Sequence, residues 1–236
     1  MSTRATAGFN VFIELSVVHV VPHIIADRLT ATEPKKAQSS FGSVLRVLQL
    51  LTDEASDAEL EQALKNAPTL IVQLLRLANS STRPLARGTP ITSIRQALSV
   101  VGSRQLMRWC CLLLYGNATS LSSEDDPLVR LVERRAGFME LAAKELTPED
   151  DRFRQAAYLS GMLSLAHVSQ GVDMKAFVTD LPVGAVIQAA IIDHHGELGD
   201  LLSIAEHLEA GRYDTALLQS HALCPAFAAK LPVLMQ

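Results

Sequence analysis

The chain has 236 residues, 48% hydrophobic and 19% charged, with a net charge of −4. That composition supports a sizeable core and excludes global disorder. The negative balance removes any general attraction for phosphate backbones, so no nucleic-acid partner is expected.

Residues 1–40 differ in character from the rest of the chain. FNVFIELSVVHVVPHII is dense in β-branched residues and reads as a strand, or a strand running into a short helix. Val11–Ile25 is interrupted by Glu14, His19, Pro22 and His23 and falls short of the ~20 apolar residues a membrane span needs. It also lacks the start and cleavage site of a secretory signal. No membrane association and a cytoplasmic location are therefore expected. TATEPKKAQSS comes next and reads as a linker.

From Phe41 the period is helical, with Val44, Leu45, Leu48 and Leu51 on the same face as Phe41. Ser56 and Glu59 have capping-box spacing, and Pro68 suits a first helical turn. The helix it opens buries Leu70, Leu74, Leu77 and Ala78 and stops near Asn79-Ser80-Ser81. Ser93 and Gln96 cap another helix, which Gly102 ends in a left-handed residue. Ser103 then caps a helix carrying Leu106, Cys110, Leu113 and Leu114. Asp126-Pro127 begins a long helix to about Leu146, with Leu128, Leu131, Val132, Phe138 and Ala142 inward. Thr147-Pro148 opens the next, running to about Gln170. Shorter helices are expected near 173–179, 182–194, 198–210 and 213–222, and residues 223–236 read as a tail. The fold class is all-α.

Four blocks in order carry a family resemblance: LLRLANSS (74–81), ITSIRQALSVVGSRQLMRW (91–109), AAYLSGMLSL (156–165), and LPVGAVIQAAIIDHHGELGDLLSIAEHLEAGRYD (181–214). Together they resemble HDOD, a bacterial signalling module related to HD-type phosphohydrolases and found at the C-terminal part of EAL–HDOD proteins. The resemblance implies a multi-helix bundle over 41–222, after an extension and linker at 1–40. In catalytic relatives a His-Asp pair helps hold two metal ions, a chemistry that needs several ligands converging. Here Ser164-Leu165 stands in that place, and no His-Asp dipeptide occurs in the chain. The expectation is no catalytic residue, no metal and no cofactor. Gly8-Phe9 through about Leu29 resembles the end of an EAL domain, a cyclic-di-GMP phosphodiesterase barrel. Such a barrel needs about 250 residues, and none is expected in this sequence.

Other side chains invite sharper readings. Asp193, His194 and Glu197 suggest a non-standard metal site in a degenerate phosphohydrolase. Neighbouring helix residues diverge, however, and a solvated helix end is the simpler reading. His167 reads as a hydrogen-bonded core histidine. Arg76, Asn79 and Arg95, with Arg83 and Arg87, flank one loop and could bind a nucleotide or another anion near the Ser93 helix start. Against that, Asn79 suits a cap and Arg95 can pair with a neighbouring acid. Arg130, Arg134 and Arg135 form a basic face on the long helix, either salt-bridged or a docking surface. Cys110, Cys111 and Cys224 lack ligand spacing and read as small core residues.

The function expected is signal transduction by contact, in a cyclic-di-GMP-linked network by family resemblance. The partner is another protein or a second copy of the chain, making a homodimer. Val11, Phe12, Ile13, Val17 and Val18, with Arg130 and Arg134, are the candidate contact residues.

Overall fold

Helix caps placed by the sequence at Ser56, Ser93 and Asp126 each mark an element start. The computed structural model describes residues 38–81, 90–115 and 126–234, and among these all regular structure is α-helix. The helices are α1 Gln38–Thr52, α2 Asp57–Lys65, α3 Pro68–Ser81 and α4 Ile94–Leu113. Next in the chain are α5 Pro127–Leu146, α6 Asp151–Leu163, α7 Ala166–Gln170 and α8 Met174–Thr179. The last four are α9 Ala185–Asp193, α10 Gly196–Glu209, α11 Tyr213–Leu223 and α12 Pro225–Leu234. The expected strand-like segment lies outside the described residues.

The chain forms two compact units. The first holds α1–α4 together with Leu181–Val183. Its α2 starts with the expected capping box: Glu59 N–H donates to Ser56 Oγ, and Ser56 N–H donates to Glu59 Oε2 at 2.9 Å. Val44, Leu48, Leu51, Leu60, Leu64, Leu70, Leu74 and Ala78 are buried, as the helical period requires. Gly102 breaks α4 into two helical stretches at a positive φ of 73, with ψ 159, so the first stretch ends where the sequence placed its end. Leu106, Cys110 and Leu114 are buried, while Leu113 is only half-buried. Trp109 and Tyr115 are both core residues.

The second unit holds α5–α12. Asp126 caps α5 by accepting from Leu128 N–H at 2.9 Å, and Pro127 occupies the first turn, where no amide proton is needed. The expected inward face of α5 is buried throughout. The helix expected to run to Gln170 is instead broken at Ser164-Leu165 into α6 and α7. The expected C-terminal tail is α12, which packs on α5 and α11 and buries Phe227, Ala228 and Leu231. On its outer side Lys230 pairs with Glu145. No helix of the described residues is long and apolar enough to cross a membrane.

Candidate functional site

The place to look first is the end of α6, where the sequence sets Ser164-Leu165. Here α5 and α6 approach backbone to backbone. A Cβ on Gly161 would lie 2.7 Å from Ala136 Cα, so only glycine permits the contact. That closeness puts Arg135, next to Ala136, against the C-terminus of α6.

Arg135 is the centre of the site. Its side chain is 4% exposed and Glu209, on α10, 8%. Arg135 Nε donates to Glu209 Oε1 at 2.8 Å, and Nη2 donates to the other carboxylate oxygen, giving a two-pronged pair. Nη1 donates to Ser164 Oγ at 2.8 Å, and Ser164 in turn donates to the Gly161 carbonyl at 2.8 Å. Nη1 also lies 3.5 Å from Glu206 Oε1. The buried charge is thereby matched by a carboxylate and its donors are used, which is what a cation needs in a low-dielectric interior.

Glu206 carries the cluster outward. Its Oε2 lies 2.9 Å from His194 Nε2. His194 is the left-handed residue after α9, at φ 50 and ψ 38, and a Cβ on Gly199 would fall 2.1 Å from its carbonyl carbon. The first turn of α10 therefore folds onto His194 only because Gly199 has no side chain. His194 is at an exposed helix end, as expected, but it is tied into the Arg135 cluster. Asp193, His195 and Glu197 are exposed. Among the described residues no group of three or more His, Cys, Asp or Glu side chains is placed to hold a metal ion.

His167 is half-buried rather than fully enclosed, and its Nδ1 is buried without a hydrogen-bond partner among the described residues. Burial pushes its pKa below the ordinary histidine value, Arg135 acts the same way, and the Ser164 backbone and Asp173 oppose them. Cys110 and Cys111 are fully buried, and burial pushes the Cys111 thiol up to about 12, far from a reactive thiolate. Cys224 is half-buried.

The loop residues make contacts of their own. Asn79 closes its loop like a clasp: its Nδ2 donates to the Leu75 and Ile91 carbonyls at 2.7 and 3.0 Å, and its Oδ1 accepts from Ile91 N–H at 2.9 Å. Arg95 pairs with Glu61 at 3.3 Å, and Arg76 is exposed on α3. Arg83 and Arg87 lie outside the described residues, as do Val11, Phe12, Ile13, Val17 and Val18. Arg130 and Arg134 are exposed on α5, each engaged with neighbouring groups. Arg135 departs from the expectation that it is a third member of that basic face. It shares a stripe with Leu131, Phe138 and Ala142, at the i, i+4, i+7 and i+11 spacing that marked the inward face. Glu209 follows Leu202 and Ala205 at the same kind of spacing on α10. Those two registers are the sequence signal that would have located the pair.

Residues 40–168 match the HDOD domain, more than half of the 236-residue chain. The chain belongs to the HDOD family. This all-α, HD-related fold is what the helices describe. Two curated relatives are similar to this HDOD chain. The cyclic di-GMP phosphodiesterase CdgJ of Vibrio cholerae is 26% identical over 202 residues, covering 86% of this chain and 44% of the relative. The uncharacterized protein YuxH of Bacillus subtilis is 26% identical over 149 residues, covering 62% of this chain and 35% of the relative. The chain thus spans less than half the length of either. No solved structure matches it.

Proposed function

We propose that this HDOD chain is a non-catalytic module that transmits a signal by contact with a protein partner, within a cyclic-di-GMP-linked bacterial network. The HDOD match and the similarity to CdgJ support a signalling role. The observation that carries the non-catalytic reading is the Arg135–Ser164 contact. At the position where a catalytic relative would have its His-Asp pair, a serine hydroxyl binds a buried guanidinium already neutralised by Glu209. A fixed side-chain cation there supports this reading, because metal-assisted hydrolysis uses converging ligands and an open coordination position. A scaffold of packed helices suits contact through helix faces, and the EAL-linked context of the resemblance supplies the network.

The test is direct. Purified chain with manganese should turn over neither cyclic-di-GMP nor a generic phosphoester. Turnover abolished by His194→Ala would sink this reading and favour a degenerate phosphohydrolase.

A further inference from the structure

The corner between α10 and α11 is held by Gly211 N–H, which donates to the Leu208 carbonyl at 3.0 Å, and by the pair of Arg212 and His207. Gly211 turns the chain at φ 70. Arg212 N–H then donates to the His207 carbonyl at 2.8 Å, and Arg212 Nε donates to His207 Nδ1 at 2.9 Å. An imidazole nitrogen that accepts a hydrogen bond does so with a lone pair, so the side-chain bond exists only while Nδ1 carries no proton. Adding that proton removes the acceptor and sets one cation against another.

We propose that this corner is an acid-sensitive hinge, held while His207 accepts from Arg212 and released when Nδ1 is protonated. The charged and titratable groups facing His207 are Arg212 from the corner, Glu206 from its own helix and His194 from the α9–α10 junction. Glu206 is the only carboxylate among these groups, and it is already engaged by His194 at 2.9 Å and lies 3.5 Å from Arg135. A protonated His207 therefore gains no undivided counter-ion.

Burial first, and Arg212 second, hold His207 below the ordinary value of 6.5; His194 adds to them and Glu206 opposes. The held corner thus favours the neutral ring, and an opened corner takes the proton more readily. Its stability is complete above about pH 6.5 and falls as the pH drops through the lowered value. The consequence reaches an apolar surface, because α11 carries Leu217 and Leu218, 43% and 73% exposed. The hinge would set how firmly that helix face is presented.

The test uses the full chain and two NMR readouts. The His207 ring, assigned through His207→Gln, should titrate below the ordinary histidine value and move up towards it in Arg212→Gln. The backbone amides of Gly211 and Arg212, bonded to the Leu208 and His207 carbonyls, should lose exchange protection between about pH 7.5 and about pH 5. That loss should vanish in His207→Gln, whose side-chain oxygen can still accept from Arg212 but does not titrate. An unmoved midpoint in Arg212→Gln overturns the hinge. So does protection lost equally with and without His207.

Discussion

At the scale of the residue, Arg135 decides more than any other side chain. It was readable as basic and helical, and by spacing it sits with Leu131, Phe138 and Ala142, yet its charge argues for solvent. Burial wins because Glu209 arrives from α10 with matching two-pronged geometry and Ser164 takes a third donor. Neither partner is near it in sequence, so the helical registers mark Arg135 and Glu209 each as inward-facing without saying that they meet. Removing one member of a buried pair strands the other without a counter-charge, and this costs about 3–5 kcal/mol. Arg135→Met should therefore lower unfolding stability by that order, measured in urea at neutral pH. Arg135→Met combined with Glu209→Leu should recover much of the loss, since two apolar groups leave no orphan charge. A double variant as unstable as the sum of its parts would show that the two residues act separately.

At the scale of the element, several capped helix starts were legible, but α6 begins at Asp151, where Asp150 accepts from Phe153 N–H at 2.8 Å, and not at the expected Thr147-Pro148. Ser56 with Glu59, Ser93, Asp126-Pro127 and Pro68 all mark helix starts in the structure. Interruptions were harder to read. The apolar period continues through Ser164-Leu165, although the backbone breaks there to give Ser164 its place against Arg135. The α12 sequence PAFAAKLPVL has no clear polar face and two prolines, so neither period nor cap announces a helix. Within α4 the buried face is wide and centred near Cys110 and Leu114, leaving Leu113 at its edge. The two leucines expected in the core should consequently differ. Leu74→Ala, at a fully buried position in α3, should cost about 2–5 kcal/mol, and Leu113→Ala clearly less. Equal losses in thermal unfolding would mean that α4 packs more closely around Leu113 than its exposure indicates.

At the scale of the whole molecule, a module that signals by contact needs a surface with a reason to be covered. The described helices offer Leu217, Leu218 and Val233 as exposed apolar groups, with no strand among them for an extended segment to join. The sequence adds a second candidate in Val11, Phe12, Ile13, Leu15, Val17, Val18, Val20 and Val21, which lie outside the described residues. Each such side chain gains ~1.5–3 kcal/mol when fully buried, so even partial cover outweighs leaving the group in water. β-branched segments of this kind also pair readily with a copy of themselves, which is why we favour self-association over packing on the chain's own helices. Sedimentation of the intact chain beside a version beginning at Ser39 separates the two. Self-association through residues 9–25 gives a larger species only for the intact chain, and the larger fraction should grow with concentration. If both versions sediment as monomers and are equally soluble, the N-terminal segment is not the contact element, and the search for one moves to α11 and α12.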